Sequence, residues 1–321
     1  MVGGAAFFTL YFGFINIRGF GLSLRTVMGR YDGLDEKRKE SGEVSHFQAL
    51  ATAVSGTVGN GNIAGVAMAI AIGGPGATFW MILCGLLGMS SKFVECTLGV
   101  KYRDVGSDGT VYGGPMYYLS KGLKERGFEK FGKVLAVIFA VLCIGASFGG
   151  GNAAQSNQAA LQMVDLFGLT GGSARTIVGI IMMIVVGIII IGGIKRIAKI
   201  TEKLVPLMAV IYIFGAFSVI IFNYENIIPS FISIFSQLFS GSAAVGGFLG
   251  ASVSYAISRG VNRGLYSNEA GQGSAPIAHA SAKTNEPVSE GLVAILEPFI
   301  DTIIICTITG LVLLSLSLIH I

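Results

Sequence analysis

Charged residues are scarce in this sequence. Only 12% of its 321 residues are Asp, Glu, Lys or Arg, whereas 52% are hydrophobic and the mean hydropathy is +0.72. Soluble domains carry about a quarter charged residues. This deficit excludes an ordinary soluble domain and indicates an integral membrane protein.

Cysteine and histidine are also few, with four and three residues respectively. All four cysteines lie inside apolar runs, and no cysteine or histidine spacing matches a disulfide framework or a metal motif. No histidine lies at the expected membrane depth, so an intramembrane protease, which needs a nucleophile with a base in reach, is disfavoured. We therefore expect a non-enzyme with no cofactor and no nucleic-acid partner.

Long apolar segments are abundant, and eight of them have lengths typical of membrane helices. They cover residues 2–17, 47–72, 76–100, 134–163, 175–194, 204–223, 242–262 and 291–318. A further stretch, residues 227–240, is predicted to be an amphipathic helix on the outer surface. The predicted fold class is all-α: a polytopic membrane protein with one transmembrane domain over residues 1–321.

Basic residues alternate between connections. Twenty of the 22 lie in or beside four of them, residues 18–46, 101–133, 195–203 and 263–290. Short loops rich in Lys and Arg stay in the cytoplasm. We therefore expect a multi-pass protein of the cell membrane, with these loops cytoplasmic and the N-terminus outside.

The second apolar segment contains "TVGNGN", residues 57–62, at the predicted middle of the bilayer. Unpaired backbone groups at that depth cost several kcal/mol, so an interrupted helix there needs polar partners. The seventh segment, five further along and opposite in direction, carries "VGGFLGASVSY", residues 245–255. Such a pair marks the central site of secondary transporters built from inverted repeats. This predicts an extra helix at 2–17, a first repeat at 47–223 and a partial second repeat at 242–321.

An interrupted helix frees amides that suit a carboxylate and carbonyls that suit Na⁺. In the fourth segment, Asn152 and Gln155 are three residues apart and share a helix face, which indicates a polar cavity.

Lys92 and Glu95 are predicted to form an ion pair on one helix face, with a structural role. Glu297 and Asp301 share a face near the predicted cytoplasmic end of the eighth segment. Their role is left open between a gate, a cation ligand and a structural cap.

Five longer motifs carry a resemblance to a known family: "GNGNIAGVAMAIAIGGPGATFWM", "GGPMYYL", "GGGNAAQSNQ", "RGLYSNEAGQGSAPIAHASAKT" and "EPFIDTIIICT". They are spread over nearly the whole chain, which resembles the alanine/glycine:cation symporters. The resemblance implies a leucine-transporter (LeuT) fold, with ten core helices in two inverted repeats and one extra helix. It also implies uptake of alanine or glycine driven by Na⁺ or H⁺.

The resemblance also implies roles for particular residues. Backbone amides of Asn60 and Gly61 would hold the substrate carboxylate. The remaining implied substrate residues are Asn152, Gln155, Gly246, Gly247, Phe248 and Gly250. The implied Na⁺ ligands are Thr57, Asn62 and the carbonyls of Ser55 and Val58.

The chain departs from the family pattern in two ways. Asn60 stands where the family more often has threonine, so cation or substrate preference is left open. Only about eight of eleven expected helices are present, so we expect a C-terminally incomplete LeuT-like bundle, a truncated copy that does not transport. The alternatives are an ion channel and another amino-acid permease of the same fold, and the oligomeric state is left open.

Overall fold

The computed structural model describes residues 2–31, 41–169, 173–239 and 267–316. This part of the chain is mostly helical, as expected from the sequence. It also contains a small antiparallel hairpin, β1 (Asp104–Val105) and β2 (Val111–Tyr112), that the all-α prediction did not include. The predicted seventh segment lies outside the described residues.

Most of the helices follow the predicted apolar segments, but the predicted connection at residues 195–203 lies within the helix Gly193–Phe222. In chain order they are α1 (Val2–Tyr11), α2 (Ile15–Arg18), α3 (Phe20–Val27), α4 (His46–Thr57), a π-helical turn (Gly61–Gly65), α5 (Val66–Gly73), α6 (Gly76–Lys101), α7 (Pro115–Glu125), α8 (Glu129–Ala146), a π-helical segment (Ser147–Ala153), α9 (Ala154–Leu166), α10 (Ala174–Ile190), α11 (Gly193–Phe222), a 3₁₀ turn (Tyr224–Asn226), α12 (Ile227–Ser236), α13 (Ala275–His279), α14 (Pro287–Ala294), α15 (Leu296–Pro298), a π-helical segment (Phe299–Cys306) and α16 (Thr307–Ser315).

Four continuous helical stretches in the described residues have the length and composition to cross a membrane. They are Gly76–Lys101, Glu129–Leu166, Gly193–Phe222 and Pro287–Ser315. Three shorter helices are also apolar: Val2–Tyr11, Gly61–Gly73 and Ala174–Ile190. Below, Pro287–Ser315 is called the last helix, and His46–Gly73, which comprises α4, the π-helical turn and α5, is called the broken helix.

Local sequence signals set the bounds of the broken helix. Ser45 caps its start: the Ser45 hydroxyl accepts a bond from the Gln48 amide (3.2 Å), and the Gln48 side chain accepts one from the Ser45 amide (3.1 Å). Gly74, with φ of 76°, ends it in a conformation that favours glycine. Pro75 follows directly at the start of α6, where its missing N–H is not needed.

Helix α6 and the last helix form the packed centre of the described chain. Glycines bring them together, because a Cβ at Gly85 would lie 2.8 Å from the Thr302 side chain and one at Gly310 would lie 2.9 Å from Thr78. The first half of the broken helix packs on the same centre through a buried cluster of Leu50, Val54, Val293 and Leu296. This packing places the interruption beside the last helix.

Candidate functional site

The broken helix loses its regular hydrogen bonding where the sequence predicts it. Helix α4 ends at Thr57, and Val58 has extended dihedrals (φ −74°, ψ 109°). A π-helical turn then begins at Gly61 and leads into α5. Residues 57–62 are therefore not a continuous α-helix.

Two side chains accept hydrogen bonds from the backbone amides in this interruption. The Gly59 amide donates to Asn62 Oδ1 (2.8 Å), and the Asn60 amide donates to Gln155 Oε1 (3.2 Å). In an uninterrupted helix these amides would bond the carbonyls of residues 55 and 56. Those two carbonyls have thus lost their helical donors.

Asn62 connects the interruption to the last helix. It is almost fully buried, and its Nδ2 lies 2.7 Å from Asp301 Oδ1 and 2.9 Å from Ser267 Oγ. The Ser267 hydroxyl donates to Asp301 Oδ2 (2.7 Å), and the Thr302 hydroxyl donates to the same oxygen (2.8 Å). We call Asn62, Ser267, Asp301 and Thr302 the Asn62 cluster.

Asp301 is fully buried and forms no ion pair with a basic side chain in the described part of the chain. An ionised carboxylate in such a place is costly without a compensating charge, even when several donors reach it. The group therefore suits either a bound cation or a proton. Its oxygens and the nearby hydroxyls of Ser267 and Thr302 are hard ligands of the kind that Na⁺ and similar cations take.

Each of the three π-helical segments among the described residues contains a polar residue. Asn62 lies in the first, Asn152 in the second and Asp301 in the third. Single π-helical turns leave backbone groups irregularly paired and are frequent at functional sites. Irregular backbone therefore occurs at these three polar residues, whereas Lys92 and Glu95 lie on the regular helix α6.

The structure brings together only some of the residues expected at the site. Gln155 reaches the interruption, whereas Asn152 is exposed on the same helical stretch. Thr57 is buried at the end of α4, and its hydroxyl bonds the Val54 carbonyl (3.3 Å). Ser55 is exposed, and its hydroxyl bonds the Thr52 carbonyl (2.7 Å). Val58 and Asn60 are half-buried within the interruption itself.

Four expected substrate residues, Gly246, Gly247, Phe248 and Gly250, lie outside the described residues. Ser267 and Thr302 were not expected at the site. Their signal in the sequence is weak, because Ser267 falls in a loop motif and Thr302 in an apolar run. Only the packing of the last helix against the interruption reveals them.

The expected pairing of Lys92 with Glu95 is wrong. Lys92 Nζ bonds Glu297 Oε1 of the last helix at 3.0 Å. Glu95 instead accepts bonds from the backbone amides of Gly271 and Gly273. The closely packed last helix and the loop before it offer better-placed partners than a neighbour on the same helix.

Membrane-length helices beside a helix that is interrupted among asparagine, glutamine and aspartate side chains are typical of membrane transport proteins. The chain belongs to the sodium:alanine symporter family, whose profile matches residues 1–320.

Individual relatives agree with this family. The chain is 44% identical to the sodium/alanine symporter AgcS of Methanococcus maripaludis, over 98% of the chain and 66% of that protein. It is 42% identical to the putative sodium/proton-dependent alanine carrier protein YrbD of Bacillus subtilis, over 92% of the chain and 59% of that protein. It is 40% identical to the probable sodium/glutamine symporter GlnT of the same bacterium, over 98% and 61%. The chain thus spans slightly less than two thirds of the length of these relatives.

Proposed function

We propose that this chain forms the central site of a secondary active symporter, which couples Na⁺ or H⁺ entry to uptake of alanine or glycine. The observation that carries the proposal is the interruption at residues 57–62, where side chains replace the helical partners of two amides and release two carbonyls. Membership in the sodium:alanine symporter family supports the same reading.

The proposed substrate site is built around Asn60 and Gly61. The Asn60 amide already binds an oxygen acceptor, Gln155 Oε1, so a substrate carboxylate can take the same position while Gln155 turns to hold its ammonium group. A Cβ at Gly59 would lie 3.4 Å from Gln155 Oε1, so this approach is close. Asn152 and the glycine-rich residues of the seventh segment, Gly246, Gly247, Phe248 and Gly250, would complete the pocket.

The proposed cation site uses the freed carbonyl of Ser55, the carbonyl of Val58 and the side chains of Thr57 and Asn62. Asp301 adds a carboxylate to this set through its contact with Asn62 (2.7 Å). A carboxylate at this position accepts either Na⁺ or a proton, which is consistent with a family whose members are named for both. The cation and the amino acid would then bind to adjacent parts of one interruption, which makes their binding reciprocal.

The proposed architecture is the LeuT-like inverted repeat, in which the broken helix and the seventh segment form an antiparallel pair. The two would rock together against the other helices, exposing the site to each side of the membrane in turn. The cell membrane is the proposed location, with the basic loops facing the cytoplasm.

The test is equilibrium binding of radiolabelled alanine to the purified chain in lipid nanodiscs, with and without Na⁺. We expect Na⁺-dependent binding that weakens at least tenfold in Gln155→Ala. The matched control is Gln158→Ala, an exposed glutamine one turn along the same helix, which should bind like the parent. Equal alanine affinity in the Gln155→Ala and Gln158→Ala variants would contradict the proposed substrate site.

The cation site is tested in the same assay by titrating Na⁺. Asp301→Asn should raise the Na⁺ concentration that gives half-maximal alanine binding, because it removes a negative charge from the site. Asp165→Asn, at an exposed aspartate, is the control. If both variants keep the parent's Na⁺ dependence, Asp301 is not part of the cation site.

A further inference from the structure

The Asn62 side chain has opposite kinds of partner at its two ends. Its Oδ1 accepts a bond from the Gly59 amide at 2.8 Å. Its Nδ2 faces four acceptor atoms, which are Asp301 Oδ1 (2.7 Å), Ser267 Oγ (2.9 Å), the Asp301 carbonyl oxygen (3.0 Å) and Cys306 Sγ (3.3 Å). A side-chain amide nitrogen carries only two hydrogens. Asn62 Nδ2 therefore cannot make a full hydrogen bond to each of these atoms.

The nearby hydroxyl hydrogens do not relieve this excess of acceptors. Ser267 donates its hydrogen to Asp301 Oδ2 at 2.7 Å, so a lone pair faces Asn62 Nδ2, and Thr302 donates to the same carboxylate oxygen at 2.8 Å. The side chains around Nδ2 are also enclosed, because Asn62, Ser267, Asp301 and Cys306 are each 2% exposed or less. A hard cation binds several oxygens at once, whereas an amide nitrogen is limited by its two hydrogens. The acceptors around Nδ2 therefore suit a cation better than the amide.

A half-turn of the Asn62 amide about its last side-chain bond exchanges the positions of Oδ1 and Nδ2. This torsion is broad and roughly two-fold in asparagine, so both orientations are accessible. After the turn, Oδ1 points toward the acceptors of Asp301 and Ser267, an arrangement that is favourable only with a cation between them. At the other end, Nδ2 and the Gly59 amide become two neighbouring donors with no acceptor. One rotation thus creates a cation ligand and frees two donors.

The freed donors lie beside the proposed position of the substrate carboxylate. The next amide along the chain, that of Asn60, donates to Gln155 Oε1 at 3.2 Å. A Cβ at Gly59 would lie 3.4 Å from the same oxygen, so the Gly59 amide and Gln155 are close. Two successive amides are thus occupied by side-chain oxygens, and a carboxylate has two oxygens that can replace them. It can take both amides only when Asn62 has turned away from Gly59.

We propose that a monovalent cation binds among Asp301, Ser267 and Cys306. Its charge turns the Asn62 amide so that Oδ1 faces the ion, and this turn frees the Gly59 amide for the substrate carboxylate. The inference rests on the proposed function and places the ion at the Asn62 end of the proposed cation site. Without the ion, Asn62 Oδ1 competes with the substrate for the Gly59 amide. A single side chain thereby couples the two ligands, and each strengthens the binding of the other.

The direct test is hydrogen exchange of the full chain in nanodiscs, measured residue by residue by mass spectrometry at one fixed pH and without alanine. Na⁺ should speed exchange of the Gly59 amide at least tenfold relative to an equal concentration of N-methylglucamine. The Asn60 amide is the internal control, because its bond to Gln155 does not depend on the turn. Added alanine should then slow exchange at Gly59. Exchange at Gly59 that Na⁺ leaves unchanged or slows would overturn the proposal.

This measurement also separates the inference from the proposed function. If the parent binds no alanine, the proposed function fails, whereas the response of Gly59 to Na⁺ alone still decides whether Asn62 turns. If alanine binds in a Na⁺-dependent way but Gly59 does not respond to Na⁺, the proposed function stands and the turn of Asn62 is wrong.

Asn62→Asp tests the coupling. Aspartate presents an oxygen at both ends, so one oxygen can face the ion while the other still accepts from the Gly59 amide. Na⁺ should therefore still raise the melting temperature of this variant, but it should no longer raise its affinity for alanine. The control Asn285→Asp, at an exposed loop asparagine whose oxygen accepts from Ser41, should behave like the parent. Alanine binding to Asn62→Asp that Na⁺ strengthens as in the parent would contradict the coupling.

Cys306→Ser tests the position of the ion. It replaces a soft sulfur with a hard oxygen, so the Na⁺ concentration that gives half of the thermal stabilisation should fall at least threefold. The matching concentration of Tl⁺, a softer monovalent cation, should fall less. Cys143→Ser, at a half-buried cysteine of α8, is the control. An unchanged ratio of the Na⁺ and Tl⁺ concentrations in Cys306→Ser would show that the ion does not lie against Cys306.

Discussion

Two pairs of membrane-length helices in this chain have opposite surroundings. In Gly76–Lys101 and Pro287–Ser315, 61% and 67% of the most apolar stretch is buried against the rest of the protein. In Glu129–Leu166 and Gly193–Phe222 the buried share is 6% in each. We call these the buried pair and the exposed pair.

The two pairs also differ in where they place ionisable groups. The buried pair carries Lys92, Glu290, Glu297 and Asp301 at positions that are fully enclosed. The exposed pair presents large apolar side chains such as Phe214, whose exposed fraction is 76%. Ionisable groups at membrane depth are tolerated where protein surrounds and pairs them, and apolar groups face outward where lipid or further protein must cover them. Matched substitutions in the two pairs test this contrast.

The largest expected effect comes from removing one member of the ion pair inside the buried pair. Lys92→Met leaves Glu297 charged and unpaired, which should destabilise the fold by about 3–5 kcal/mol. The double variant Lys92→Met/Glu297→Gln should recover much of this loss, because it removes the unpaired charge. Lys203→Met, at an exposed lysine of the exposed pair, should change stability little. Thermal unfolding in detergent measures all three, and equal melting temperatures for Lys92→Met and Lys203→Met would break the comparison.

Glycine substitutions should also separate the two pairs. A Cβ at Gly291 would lie 2.0 Å from Thr97 Oγ1 and 2.7 Å from the Phe93 carbonyl oxygen, so Gly291→Ala should destabilise by about 1–3 kcal/mol. A Cβ at Gly215 would meet no atom within 4 Å, so Gly215→Ala should stabilise its helix by about 0.5–1 kcal/mol. Opposite shifts in melting temperature are expected, and a harmless Gly291→Ala would show that the helices do not pack this closely.

A further effect on stability is expected at Arg103, which follows the end of α6 in the buried pair. The Arg103 guanidinium donates to the carbonyls of Ala280, Ala282, Ser41 and Thr284, at 2.5–2.7 Å. A lysine ammonium cannot donate to all four carbonyls in this planar geometry. Arg103→Lys should therefore lower the free energy of unfolding by about 2 kcal/mol. Arg196→Lys, at an exposed arginine of the exposed pair, is the control. Chemical denaturation of both variants checks the difference, and a neutral Arg103→Lys would contradict it.

The smallest effect concerns the pH dependence of stability. Burial raises the pKa of Glu269 in the loop that packs beside α6, although a hydrogen bond from the Ser274 hydroxyl opposes this. Because the folded pKa is the higher one, this carboxyl contributes stability that is complete below its unfolded value of about 4.3 and is lost as pH rises through the folded value. Glu269→Gln should therefore flatten the fall in melting temperature between pH 4 and pH 8. Glu225→Gln, in the exposed 3₁₀ turn after α11, should leave the curve unchanged. Identical curves for the two variants would show that Glu269 does not titrate abnormally.

Much of the helix architecture follows from local sequence. The positions of the long helices agree with the apolar segments, because hydrocarbon length and the need to pair every backbone group leave few alternatives. The interruption at residues 57–62 also follows, since glycine and asparagine side by side disfavour a continuous helix. Two differences are local: the first segment breaks at Gly13 and Phe14, which have φ of 59° and 58°, and a hairpin forms after α6.

The candidate site was only partly predictable. Gln155 could be expected to face a polar cavity because it stands out as a polar residue in an apolar segment, and the structure places it against the Asn60 amide. Ser267 and Thr302 could not, because hydroxyl side chains are common in loops and membrane helices. Their contribution depends on the last helix bringing Asp301 within 2.7 Å of Asn62, across 239 residues of sequence.

The sequence by itself determined that this is a membrane protein, where its helices lie, which one is interrupted and which family it belongs to. These properties depend on composition and on neighbours within a few turns. Only the tertiary structure decided that Lys92 pairs with Glu297 rather than Glu95 and that Asp301 lies against the interruption. A buried charge takes whichever partner the packing of distant helices brings within about 3 Å, and residue spacing along one helix does not determine that choice.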